Sequence, residues 1–207
     1  MRHWRLLLGA AIVALAAGCA QQPSIEPVEN WDAHRAAASA LHSWTLSGKL
    51  GVRVPDDSGS ARLRWKQQQE EYRIDLSGPF GQGRVIIDTT ESGVRLRQGG
   101  EPPLEASSAE DLLWQATGWR LPVEDLTYWV RGIPAPGSDH VIAARTENGL
   151  VRQLEQSGWT LHYEEYQRVE QTTRRGLRTL PLPGRIVAER GDTRLTLIVY
   201  DWSLPNS

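Results

Sequence analysis

From Trp44 to Trp202, apolar and polar residues alternate in short runs broken by turn residues, and no other feature restricts the fold of this chain as strongly. Period-two alternation is the mark of a strand with one dry and one wet face. Trp44, Leu46, Leu50, Val52 and Val54 alternate with Thr45, Ser47, Lys49 and Arg53. After a turn expected at Asp56-Asp57-Ser58-Gly59, Ala61, Leu63 and Trp65 alternate with Arg62, Arg64 and Lys66, and then Tyr72, Ile74 and Leu76 with Arg73 and Asp75. Further strands are predicted over 84–89, 94–98, 140–146, 151–156 and 159–163, the last two joined at Ser157-Gly158. A final hairpin pairs 185–189 with 194–202 across Gly191-Asp192. Residues 167–176 are polar and basic and are expected to form an exposed loop, and Leu180-Pro181-Leu182-Pro183 leads into the last hairpin.

Three short helices complete the pattern. Trp31 to His42 contains neither Gly nor Pro, and Trp31, His34, Ala38 and Leu41 recur at helical spacing. Ser107 and Ser108 offer N-caps, with Glu110 and Asp111 three residues on, and Leu112, Leu113 and Ala116 follow before Gly118. Pro122 opens a third helix in which Leu126, Trp129 and Val130 share a face. Each is too short to be stable alone and must lie apolar face down. The expectation is a mainly β domain, one curled antiparallel sheet with helices covering its apolar side. Such a covered sheet holds either a packed core or an apolar cavity, and alternation does not distinguish them.

The start of the chain has a different character. Arg2 and Arg5 precede an apolar run from Leu6 to Ala17, and Ala17-Gly18-Cys19 follows, which reads as an export signal. The run falls short of the roughly 20 apolar residues a spanning helix needs. Cys19 is the single cysteine, so no internal disulfide is available. Its place directly after small residues resembles the lipobox of bacterial lipoproteins, in which the cysteine becomes the acylated N-terminus. Leu stands at position 15 where that pattern usually has it one residue later, and Ala20 after the cysteine resembles outer-membrane sorting. The predicted organisation is therefore a signal over 1–18, a lipidated flexible tether over 19–30 containing Pro23 and Pro27, and a domain over 31–207. Removal of Arg2 and Arg5 leaves 21 basic against 25 acidic residues, a net charge of −4, which argues against a nucleic-acid partner.

Catalytic patterns are missing from the sequence. No G-x-S-x-G, H-E-x-x-H or C-x-x-C occurs, and Gly78 to Gly83 lacks the Gly-Lys-Ser/Thr of a phosphate loop. His34, His42, His140 and His162 are dispersed, and Asp56-Asp57 and Glu164-Glu165 fall at turns or strand ends. No enzyme activity, metal or cofactor is expected. One segment is unusual in composition. Phe80, the only phenylalanine beside nine Trp and five Tyr, stands in Gly78-Pro79-Phe80-Gly81-Gln82-Gly83. A proline and three glycines make this a loop, with Phe80 either folded onto the core or exposed.

Several blocks in order resemble the LolB family of outer-membrane lipoprotein receptors. They are W-T-L-S-G-K-L from Trp44, Y-R-I-D-L-S-G-P-F-G-Q-G from Tyr72 to Gly83, W-V-R-G-I-P from Trp129 to Pro134, and G-W-T-L-H-Y-E-E-Y from Gly158 to Tyr166. The resemblance implies an incomplete antiparallel β-barrel with a helical lid. It implies a protein held at the inner leaflet of the outer membrane by the lipid on Cys19 and facing the periplasm. Such a protein accepts acylated lipoproteins from a LolA-type periplasmic carrier and inserts them into outer-membrane lipids without a cofactor, acting as a monomer. Trp44, Leu46, Leu50, Val52, Leu63, Trp65, Ile74, Leu76, Leu112, Leu126, Trp129 and Leu161 are the candidate acyl-chain contacts. The loop at Pro79, Phe80 and Gly81 matches the family's membrane-inserting loop, with Phe80 in place of the usual Leu. A second reading of the same residues is a structural or assembly lipoprotein with a solid core and a protein partner.

Overall fold

The computed structural model describes residues 25–78, 83–117, 120–174 and 176–206. Helix α1 (Trp31–Ser39) is capped by Asn30, whose Oδ1 accepts from the Ala33 N–H at 3.0 Å. The chain then lays down six strands: β1 (Ser43–Val54), β2 (Asp57–Gln68), β3 (Glu71–Ser77), β4 (Val85–Thr90), β5 (Gly93–Gln98) and β6 (Leu104–Ala106). Helices α2 (Ala109–Thr117) and α3 (Val123–Trp129) follow. Five strands complete the chain: β7 (His140–Arg145), β8 (Val151–Gln156), β9 (Trp159–Thr173), β10 (Gly176–Arg190) and β11 (Thr193–Ser203). As the spacing predicts, Ser108 caps α2, its Oγ accepting from the Asp111 N–H at 3.1 Å.

All eleven strands form one antiparallel sheet in the order β6-β5-β4-β3-β2-β1-β11-β10-β9-β8-β7. Every neighbour is consecutive in sequence except β1 and β11, which join the two halves. The edges β6 and β7 are not paired to each other, so the barrel is incomplete, and α2 and α3 form the covalent route from one edge to the other. Gly48 sits at the β1–β11 seam, where the register shifts. A Cβ there would lie 2.1 Å from the Ile198 carbonyl oxygen, so no side chain is tolerated.

Three boundaries differ from the sequence expectation. The first turn is the two-residue Pro55-Asp56, because β1 and β2 stay paired out to Val54 and Asp57. The short edge strand β6, with one half-buried residue in three, carries too little alternation to be foreseen. Residues 167–176 are not a loop: all but the described turn residue Arg174 and the undescribed residue 175 belong to a long β9–β10 hairpin. Val169 and Gln171 point inward there, and the Gln171 amide donates to the Pro205 carbonyl at 3.1 Å, so a polar residue occupies a core position and hides the period. Pro181 and Pro183 lie inside β10 before β11 joins at Arg185. One side of the strand has no partner strand at that point, and a missing N–H breaks no ladder. The described part of the expected tether, residues 25–30, runs along the domain. The Val28 N–H donates to the Asn148 carbonyl at 2.8 Å, and Glu26 pairs with Arg168.

Candidate functional site: an apolar chamber under α2 and α3

The inward residues of one half of the sheet do not meet in a solid core. They enclose a chamber of about 430 Å³. Leu50 and Val52 of β1, Ala61, Leu63 and Trp65 of β2, and Ile74 and Leu76 of β3 form one wall. Val85, Ile87 and Leu96 extend it through β4 and β5, and Ile186, Ala188, Leu195 and Leu197 of the last hairpin form the other side. The cover is Leu113 of α2, Leu121 of the connection, and Val123, Leu126 and Val130 of α3 and its C-cap. Gly59, Ser60, Gly78, Gly83 and Gln98 line the end toward the β1–β2 turn and the β3–β4 connection. No lining residue is ionisable, so the chamber offers an apolar chain contact area and offers no reacting group.

Of the twelve sequence candidates, Leu50, Val52, Leu63, Trp65, Ile74, Leu76 and Leu126 line this space. The other five are buried elsewhere. Trp44 stands 5.4 Å from both Trp65 and Trp202, between the chamber and the seam, and Leu46, Leu112, Trp129 and Leu161 have no exposed surface. Trp129 shares α3 with Leu126 but turns to the other half of the sheet. Its indole N–H donates to the Gln156 Oε1 at 2.9 Å and its ring lies 6.4 Å from Trp159. Gln156 is fully used: its Oε1 also accepts from the Ala135 N–H, and its Nε2 donates to the Ala135 carbonyl at 2.7 Å and to the Ser138 Oγ at 2.9 Å. Cys19, Pro79, Phe80 and Gly81 lie outside the described residues.

Sequence reasoning missed Ile186, Ala188, Leu195 and Leu197, although their alternation was visible. What local pattern does not give is that β11 returns to pair with β1. It also assigned no role to Arg131, which is buried beside the cover. Its Nη1 donates to the carbonyls of Ala38, Ser39 and Leu41 at 2.9–3.2 Å, and its Nε to the Thr127 carbonyl at 3.0 Å. Burial pulls its pKa down to about 10, so it stays charged at neutral pH and meets the carbonyl end of α1, where a cation is favoured. His34 on α1 is pushed down to about 4 by burial and then by Arg178. Among the described residues no group of three or more His, Cys, Asp and Glu is placed to hold a metal, and no helix is long and apolar enough to cross a membrane.

The open antiparallel half-barrel with short helices has a counterpart among solved structures. A LolA superfamily protein from Nitrosomonas europaea matches with a TM-score of 0.52 at 11% identity, covering 87% of this chain and 94% of its own. That match shows the fold. Sequence carries the assignment further. The profile of the family described as Outer membrane lipoprotein LolB matches residues 42–202. The LolB protein of Cellvibrio japonicus is 44% identical over 203 residues, 97% of this chain and 98% of its own length. That of Chromohalobacter salexigens is 40% identical over 204 residues, covering 97% and 91%. The chain therefore belongs to the LolB family of outer-membrane lipoproteins, which are not enzymes.

Proposed function

We propose that this protein takes the acyl chains of lipoproteins from a LolA-type carrier into the chamber under α2 and α3 and inserts the cargo into the outer membrane. The observation that carries the reading is the chamber itself, lined almost wholly by apolar residues and roofed by α2 and α3. Carrying an acyl chain through water costs about 0.8 kcal/mol per methylene, so a cargo with two or three long chains needs an unbroken apolar route. A volume of about 430 Å³ falls in the roughly 300–1,000 Å³ range of small-molecule sites, so bulkier cargo requires the cover to move. Acyl groups on Cys19 hold the receptor at the inner leaflet, and Phe80 is the membrane-facing tip of the β3–β4 connection.

Transfer of a labelled lipoprotein from a LolA-type carrier to the purified protein tests the handover, and no transfer, with no uptake of a hydrophobic fluorophore, sinks it. For the loop, Phe80→Glu is expected to fold normally and to slow delivery at least ten-fold, because a charge is disfavoured in the bilayer. Loss of folding in that variant would place Phe80 in the core instead.

A further inference from the structure

Three of the strands that wall the chamber, β1–β3, carry an unusual outer face. Lys49 and Arg53 on β1, Arg62, Arg64 and Lys66 on β2, and Arg73 on β3 alternate with the chamber residues and are all exposed. The register sets Lys49 opposite Arg62, Lys66 opposite Arg73, and Arg53 opposite Arg194. Like charges directly opposite on an antiparallel pair are destabilising. Several cations elsewhere on the outside are ion-paired: Arg95 with Glu105, Arg97 with Asp88, Arg185 with Glu164, and Arg194 with Glu189. None of the six has an ion pair of this kind among the described residues. Asp75, which stands opposite Arg64, is taken by Arg84. Its carboxyl is held below the usual range by that hydrogen bond first, and Arg73 and Arg64 add to the effect. Asp57 and Glu71, at the starts of β2 and β3, are the other acids on these three strands, and Asp88, which stands opposite Arg73 on β4, is held by Arg97. A chain with an acidic excess thus concentrates uncompensated positive charge on one sheet face.

We propose that the outer side of β1–β3 is a docking surface for anionic phospholipid headgroups, which supply the counter-charge that the protein withholds. The inference rests on the receptor reading for why a bilayer is near. Five residues lie between Cys19 and Ile25, where the described chain begins, and the six steps of chain span at most about 20 Å. A bilayer against this face lies one sheet thickness from Leu63, Trp65 and Ile74, which line the chamber from the other side.

The test is flotation of the mature chain carrying Cys19→Ser with vesicles of phosphatidylethanolamine, alone or with a minority of phosphatidylglycerol. Association is expected with the anionic vesicles only, and it should fall as salt is raised, since the Debye length shrinks from about 10 Å at 0.1 M to about 3 Å at 1 M. Each basic side chain near such a surface multiplies partitioning roughly five-fold, so Arg62→Glu/Arg64→Glu/Lys66→Glu should lose association on the order of 100-fold or more. Retained uptake of a hydrophobic fluorophore shows that this variant is folded. Arg152→Glu, an exposed reversal on β8, should leave association within about two-fold. Equal association with both vesicle types, or a triple variant that still floats with anionic vesicles, overturns the proposal. So does a triple variant that keeps vesicle association and loses only transfer from the carrier, which assigns the face to a protein. Salt-sensitive flotation with no fluorophore uptake by the parent chain leaves the docking face standing and sinks the receptor reading.

Discussion

On one side of α3 the sheet is hollow and on the other it is filled, and the two sides are built from different residues. Toward β8 and β9, Trp129, Trp159, Tyr163 and Gln156 close the space, each aromatic ring held by its neighbours and those of Trp129 and Tyr163 also by a hydrogen bond. The Tyr163 hydroxyl donates to the Trp129 carbonyl at 3.2 Å, and burial pushes its pKa well above the ordinary value, so it remains a donor. Toward β2–β5 the inward residues are mostly Leu, Ile, Val and Ala, which present methyl groups and no directional partner. Large rings with polar handles lock a packing, whereas branched aliphatic residues wall a space that they do not fill. The same helix serves both sides, with Trp129 facing one and Leu126 and Val130 the other.

The sharpest break of this contrast is Trp129→Ala. Removing the ring leaves a cavity in the filled half and takes one of its two donors from the Gln156 Oε1, with an expected loss of about 3–5 kcal/mol in denaturant unfolding. A loss below about 1 kcal/mol would mean that both halves are equally loose. Arg131→Met should cost about 1–3 kcal/mol by removing a charged donor from the carbonyls of Ser39 and Leu41. It should also raise the rate of fluorophore entry, because α1 then no longer steadies the segment that follows α3. In the hollow half the outcome inverts. Ala61→Phe places a ring into open space, so stability is expected to change by less than about 1.5 kcal/mol while fluorophore uptake falls at least ten-fold. A stability loss as large as that of Trp129→Ala would show that no usable space exists there.

A further test is a pH dependence. The His34 pKa of the folded protein, about 4, lies below the ordinary 6.5, so between these values the unfolded chain binds the extra proton. Stability is then full above pH 6.5 and declines as pH falls toward 4. His34→Leu should flatten that part of the profile, and an unchanged slope in urea titrations across the window would refute the assignment.

Most strands were legible because most of their inward positions are apolar, as in Ala61-Leu63-Trp65 and Tyr72-Ile74-Leu76. The β9–β10 hairpin was not, since Gln171 occupies an inward position and two prolines stand in β10. The candidate site was half legible for a related reason. Alternation tells which residues face inward, and Leu46 and Leu50 are equivalent by that test. Only the pairing of β1 with β11 and the side to which α3 turns separate a wall residue from a packed one. Arg131 was illegible because its partners are backbone carbonyls, which leave no trace in side-chain pattern.

The unpaired edges β6 and β7 have a mechanical consequence. A closed barrel has a fixed circumference, and widening it means breaking a ladder of hydrogen bonds. Here the sheet is a curved leaf spring with free ends, and α2 and α3 are the strap between them. Ten ladders in series can each share a small part of a change in curvature, so the chamber gains volume while every backbone bond within the sheet is kept.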